Sequence, residues 1–397
     1  MFYLKQKRYD KFECLGPGCP ESCCKGWQIM VDDESLRKYA LMEKKDDRIR
    51  NSVDKEQRCF SQHEKICDFL DKDELCHLWR NYGEDSLCET CRTYPKHTEE
   101  FEGIREFSLS LSCPKEAAEL ISDEEKMTFI ESEDDEDEEF EDFDYLLYDK
   151  LVSARELLFK IAQNRSIAIG TRMNMILETA DSLQGLLDED KLFEMDDLID
   201  DWSDKVSADH SRTDKNSPKR IETAEEPDFD SEKRSFSVLF ELEFLHDTWQ
   251  QELDRTWEKV FSTPECFSDA QRFMENDPVP AEQILMFFIY TYFCGAVYDG
   301  WIFSKAAFAV YSVKWIYYMA YALYDETEQS NIRDHEGQEN SGEKKTAASA
   351  DNTNITASVY NKAEKNALIK ATYRYARETE HSDINLDRLE EWFTNGK

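Results

Sequence analysis

The run Cys14-Leu15-Gly16-Pro17-Gly18-Cys19-Pro20-Glu21-Ser22-Cys23-Cys24-Lys25-Gly26-Trp27 decides how the first part of the chain folds. Thiolates a few residues apart converge on one metal when tight turns bring their sulfurs together, and Gly16, Pro17, Gly18 and Pro20 supply turns. A second group follows: Cys67, Cys76, Cys88-x2-Cys91 and Cys113-Pro114. Ten of the 12 cysteines lie at or before Cys113. Four thiolates satisfy one tetrahedral zinc or one cubane iron–sulfur cluster, so the count leaves open two sites, or one site and spare thiols.

The segment Met1 to Tyr9 has no apolar run of secretory length and no small-residue cleavage site, so a cytoplasmic location is expected. In a reducing compartment clustered cysteines serve a metal rather than disulfides, and adjacent Cys23 and Cys24 make an awkward disulfide framework. Two iron–sulfur spacings are missing. The residue three beyond Cys23 is Gly26, which breaks the radical-SAM Cys-x3-Cys-x2-Cys pattern, and no Cys-x2-Cys-x2-Cys ferredoxin run occurs. His63, His77 and His97 share the region but are expected as surface or capping residues and not as ligands.

Across 397 residues, 49 Lys and Arg face 87 Asp and Glu, a net charge of -38. That balance argues against nucleic acid and anionic membranes, which need clustered cations, and favours basic or lysine-bearing partners. Glycine is scarce at 12 residues, and no Gly-x-Gly-x-Gly follows a strand, so a Rossmann-type cofactor site is not visible.

Periodicity gives the rest of the fold. Arg105 to Ser112 alternates apolar and polar residues, the pattern of one half-buried strand. Glu131 to Asp142 carries ten acidic residues in twelve positions and reads as a solvated linker. Beyond it, Phe143, Leu147, Leu151, Ala154, Leu158 and Ile161 share one helical face, as do Leu242, Leu245, Trp249, Leu253, Trp257 and Val260. Ile284 to Phe303 and Ala306 to Tyr324 approach membrane-span length, but Asp299 and Lys305 interrupt them and eight tyrosines are spread between Tyr290 and Tyr324. They are expected to be buried soluble helices supplying the deepest core, with a last helical stretch from Tyr360 to Phe393.

The expected architecture is mainly α: a small cysteine-rich metal-binding domain with minimal β over residues 1–121, an acidic linker over 122–142, and a helical domain over 143–397. Polar segments near 203–234 and 326–358 are expected to be mobile. Asp32 is expected to cap a helix before Ser35 and Leu36, and Trp27 to be a packing wedge over the cysteine loop.

The motifs carry a resemblance. Phe12-Glu13-Cys14 through Cys23-Cys24-Lys25-Gly26-Trp27-Gln28-Ile29, Cys67-x-Phe69-Leu70-x5-Cys76, Cys91-Arg92-Thr93-Tyr94-Pro95 and Ser108-Leu109-Ser110-Leu111-Ser112-Cys113-Pro114 together resemble the flagellin lysine-N-methylase family, within a wider group of zinc- or iron-chelating proteins. The likeness covers about Phe12 to Leu120 and extends loosely through Ala296-Val297-Tyr298-Asp299-Gly300. It implies S-adenosylmethionine-dependent methylation of flagellin lysines and a cysteine-bound metal centre, iron–sulfur or alternatively zinc. Its implied ligands are Cys14, Cys19, Cys23, Cys24, Cys67, Cys76, Cys91 and Cys113. Cys59 and Cys88 do not match clearly, Cys266 and Cys294 lie outside the pattern, and Lys96 stands where the family has Arg.

Methyl transfer to an amine needs a neutral lysine, whose ordinary pKa is about 10.4. Carboxylates or tyrosines could take the proton and aromatic faces could hold the cations, but the sequence does not single any out. Two further readings stand beside the enzyme: a metal-binding or redox module without methyl transfer, and an acidic interaction protein stapled by zinc.

Overall fold

The computed structural model describes residues 1–136, 138, 140, 142–207, 228–339 and 352–395, with the backbone alone over 325–339 and 352–361. Strand β1 (Phe2–Gln6) leads into the cysteine loop, and helices α1 (Asp33–Met42) and α2 (Asp47–Ser52) follow. Two short ladders come next, β2 (Val53–Asp54) with β3 (Cys59–Phe60) and β4 (Gln62–His63) with β5 (Ile66–Cys67). Helices α3 (His77–Tyr82) and α4 (Glu89–Thr93) precede the hairpin β6 (Lys96–Phe101) and β7 (Ile104–Leu109). Then come α5 (Pro114–Ser122) and β8 (Phe129–Glu133).

The helical body runs through α6 (Tyr145–Ala162), α7 (Ile169–Asp188), α8 (Glu194–Ser207), α9 (Phe229–Ser237), α10 (Trp249–Val260), α11 (Pro264–Asn276) and α12 (Pro278–Tyr292). It finishes with α13 (Ala296–Asp299), α14 (Ile302–Glu339), α15 (Asn352–Glu380) and α16 (Asp383–Asn395). The fold is mainly α with a small β component in its first part, as the sequence leads one to expect.

Helix starts follow capping chemistry. Asp32 accepts from the Ser35 N–H at 2.8 Å at the head of α1, as expected, and Asp144 and Thr263 cap α6 and α11 in the same way. Prolines occupy the first turns of α5, α11 and α12, where a missing N–H costs nothing.

The four-stranded sheet has the order β6-β7-β1-β8, with β1 parallel to β7 and antiparallel to β8. β8 corrects the linker expected across the acidic stretch. Phe129 stacks on Tyr290 with ring centroids 4.3 Å apart, anchoring a strand whose Ile130 to Glu133 stay exposed on the sheet edge. Tyr290 also donates to the Leu4 carbonyl at 2.8 Å, so α12 is bonded directly to the sheet.

Two apolar clusters form. A small one gathers Ile29, Val31, Tyr39, Ile49, Phe60, Phe69 and Leu78 beneath the cysteines. The large one is centred on α12 and α14 and reaches back to Phe101, Leu111, Leu120 and Ile121. Among the described residues no helix is long and apolar enough to cross a membrane.

Three other expectations change. The helical periodicity over Leu242 and Leu245 is broken because the Glu378 carboxylate takes the Leu245 and His246 N–H groups at 2.7 and 2.8 Å, and the helix starts only at Trp249. The stretch from Tyr360 to Phe393 is two helices, parted at His381–Ser382, where the Ser382 hydroxyl accepts from Asn385 N at 3.2 Å. The described parts of the polar segments expected to be mobile are largely helical: α8 runs to Ser207, α9 starts at Phe229, and backbone helix continues to Glu339 and resumes at Asn352. Their remainders, 208–227 and 340–351, lie outside the described residues.

Candidate active site and thiol array

Three of the thiols sit at the heads of short helices: Cys76 before α3, Cys88 before α4 and Cys113 before α5. There, backbone N–H groups point at sulfur. Cys76 receives them from Trp79 and Leu78, and Cys113 from Glu116 and Lys115. Such bonds favour the thiolate form, although burial pushes Cys76 up and Cys113 up to about 11.

Backbone pairing assembles the array. Cys67 N donates to the Cys24 carbonyl at 2.9 Å, and Leu70 bridges to Cys76. The Cys24 charge acts on both Cys67 and Cys76. The Cys23 and Cys24 thiols hydrogen-bond to each other, which raises Cys23 and lowers Cys24. The Cys91 thiol feels Cys88, Cys24 and Cys23, and Cys113 feels Cys19 and Cys14. All eight implied ligands therefore belong to one electrostatically connected neighbourhood. Cys88, which the resemblance omits, joins it through Cys91. Cys59 instead accepts from Gln28 Nε2 at 3.1 Å, and Cys294 is buried in the helical core. All 12 thiols are free. Among the described residues no three His, Cys, Asp or Glu side chains close on one point at metal-ligand spacing.

Arg377, fully buried on α15, ties this array to the helical body. Its guanidinium donates to the carbonyls of Glu21 at 2.9 Å, Ser22 at 3.3 Å and Ser112 at 3.0 Å, joining the Cys19–Cys23 loop to the residue before Cys113. Gly26 (φ 94°) packs so closely on the same body that an added Cβ would lie 2.5 Å from His246 Nε2. Glu378 holds His246 through Nδ1 at 2.8 Å. Trp27 is the expected wedge: its indole N–H donates to the Cys23 carbonyl at 2.7 Å and its ring stacks on His381 at 4.5 Å.

Beside that wedge opens a cavity of about 840 Å³ lined from both parts of the chain. Asp32, Glu89, Glu99, Glu380 and Asp383 supply carboxylates, Trp27, Tyr94 and Tyr292 supply rings, and Arg58 and Lys96 are the basic groups on its wall. Burial pushes Glu380 up to about 7, against the opposing pull of the Ser110 hydroxyl, the His97 charge and the Leu111 N–H. Its Oε1 is shielded from solvent and has no hydrogen-bond partner. His97, bonded to Glu99 Oε1 at 2.6 Å, is raised by that carboxylate in spite of burial. Burial, with the charges of Arg377 and His246, holds His381 neutral, down to about 3. The Ser112 hydroxyl is the hub, at 3.0 Å from both Tyr94 OH and His381 Nε2 and 2.5 Å from Ser110 Oγ.

Residues 155–340 match the model of the FliB lysine N-methylase C-terminal domain. The flagellar biosynthetic protein FliU of Salmonella muenchen is 30% identical over 132 residues, which is 30% of this chain and 77% of FliU. The chain belongs to the FliB lysine-N-methylase family. Within that family, the lysine-N-methylase of Salmonella typhimurium is 29% identical over 133 residues and that of Salmonella choleraesuis 30% identical over 132, in each case 30% of this chain. The match spans about a third of each of those methylases, at 33% and 32% of their length. No solved structure matches.

Sequence reading missed Arg377, Glu378, Glu380 and His381. The run Arg377-Glu378-Thr379-Glu380-His381 looks like an ordinary charged helix end. Ser110 and Ser112, by contrast, stand inside the quoted Ser-x-Ser-x-Ser motif.

Proposed function

We propose that this chain is a cytoplasmic protein-lysine methyltransferase acting on flagellin with S-adenosylmethionine as donor. The observation that supports it most is the cavity: in a lysine-N-methylase family member, carboxylates and aromatic faces line one space next to the thiol array. An ammonium and a sulfonium are both cations, and aromatic rings with carboxylates are what hold cations. S-adenosylmethionine supplies an electrophilic methyl on sulfur. Trp27, Tyr94 and Tyr292 offer the faces for that charge.

A cysteine-ligated metal also fits the residues present. The thiols are free, drawn together and supplied with N–H donors that stabilise thiolates, the donor set of an iron–sulfur cluster or zinc. Cys14, Cys19, Cys23, Cys24, Cys67, Cys76, Cys91 and Cys113 are the residues that would hold it, in one site or two. The metal would staple the cavity wall that carries Trp27.

The test is mass spectrometry of flagellin co-expressed with the wild-type chain or with a Cys23→Ser, Cys24→Ser variant. Methyl increments on lysine with the wild type and their loss with the variant are expected. Unchanged lysine masses with the wild type would refute the methylase reading and leave a metal-binding module.

A further inference from the structure

We infer that the 840 Å³ cavity receives the ε-ammonium of the substrate lysine and that the Glu380 carboxylate accepts its proton. The inference rests on the methyltransferase reading and names the base it requires. Its first support is the orphaned Glu380 Oε1, a buried oxygen on the cavity wall with neither solvent nor partner. A buried acceptor left unpaired is costly, and a ligand donor removes the cost. The second is the company it keeps. Of the other carboxylates on the wall, Asp32 is engaged by the N–H groups of Ser35 and Glu89, and Glu99 is engaged by His97.

The titratable groups facing Glu380 are His97 and Glu99 from β6, Tyr292 at the end of α12, Tyr375 on its own helix and His381 beside it, with Asp383 and Lys96 farther along the wall. His381 is neutral, and Tyr292 and Tyr375 are pushed far up by burial, so neither phenol is a ready acceptor. Glu380, raised to about 7, is a stronger base than an ordinary carboxylate and closes part of the gap to lysine. Its carboxylate takes one proton from the ammonium, and the freed nitrogen lone pair forms the C–N bond. The S–C bonding pair stays with the donor sulfur, and the product leaves as the Nε-methylammonium, which keeps its charge and two N–H protons. The Ser110 hydroxyl acts on Glu380 and is linked through Ser112 to Tyr94.

Two measurements on the full chain test this. In calorimetric titration, a lysine-bearing flagellin peptide should bind at least about tenfold tighter than its Nε-acetylated twin, and the Glu380→Gln variant should lose that preference. Equal binding of the two peptides by the wild type would overturn the cavity assignment, with or without methyl transfer. In methylation assays, wild-type turnover should rise with pH through about 7. Glu380→Gln should lose that rise and about a hundredfold or more in kcat, with partial return in Glu380→Asp. A Glu380→Gln protein, shown by its melting curve to be folded, that methylates within about threefold of the wild type would overturn the base assignment. A wild type that transfers no methyl group at all refutes the methyltransferase reading instead.

Discussion

Replacing Arg377 with methionine should detach the cysteine loop from the helical body. The side chain is fully buried and its guanidinium makes hydrogen bonds of 2.9, 3.3 and 3.0 Å to the Glu21, Ser22 and Ser112 carbonyls. A hydrogen bond from a charged donor contributes about 1.5–3 kcal/mol, which puts the simple sum well above what one substitution costs. Two features reduce it. The Glu21 carboxylate keeps Arg374 at 2.6 Å, so no charge is orphaned, and the Glu21 and Ser22 carbonyls lie near the surface, where water can replace the lost donors. The Ser112 carbonyl lies deep and cannot be rescued, because Ser112 is fully buried. The expected loss is about 3 kcal/mol for Arg377→Met, and about half that for Arg377→Lys, which retains a point donor but not the planar fork. Urea unfolding of wild type and variants in the same metal state reads this directly, with metal stoichiometry as a second readout that should fall with stability. A loss under about 1 kcal/mol, or full metal content in Arg377→Met, would refute the view that this guanidinium joins the two parts.

Other substitutions probe separate joints. Glu106 and Arg155 form a buried two-pronged pair at 2.5 and 2.6 Å; Glu106→Gln should cost about 3–5 kcal/mol in urea unfolding, whereas Glu106→Leu with Arg155→Met should recover most of it. A single-variant cost typical of a surface pair would contradict that. Gly26→Ala should lower both melting temperature and metal content, since the new Cβ meets His246 and the φ of 94° disfavours any side chain; a variant with wild-type metal content would show that the loop tolerates the shift. Asp32→Ala should cost about 1 kcal/mol at neutral pH through the lost cap of α1. The Asp32 carboxyl is held down to about 2, against the upward push of burial, by the N–H groups of Glu89 and Ser35. Its contribution is therefore present above the ordinary carboxylate range and lost as pH falls through about 2. A difference between wild type and variant that persisted at still lower pH would refute the cap as its source.

What the sequence disclosed was what local chemistry controls. Asp32 announces a cap because its acceptor needs only the next turn, and the aromatic helices α12 and α14 announce a core because burial all round leaves no polar face. Turns gather Cys14 to Cys24 locally, whereas Cys67 and Cys76 join them through backbone pairing that the spacing does not show. The misses are long-range. β1 pairs with β7, about a hundred residues away, and β8 forms because Phe129 finds Tyr290, a contact no acidic composition foretells. Arg377 reaches Glu21 and Ser112 across most of the chain, so the end of α15 shows only as a charged helix terminus. Leu245 sits in phase with a helix but has its N–H taken by Glu378. The cavity is made of residues from both ends of the chain, and only tertiary packing places Glu380 against Ser110 and His97.

The proposal to be tested is that this chain methylates lysines of flagellin at the cavity beside its thiols. The direct measurement is incubation of anaerobically purified protein with flagellin and S-adenosylmethionine bearing a deuterated methyl group, followed by mass spectrometry of flagellin peptides. The expected result is deuterated methyl on lysine with wild type and a large loss with Glu380→Gln. Flagellin lysines free of the label after incubation with metal-replete wild-type protein would contradict it.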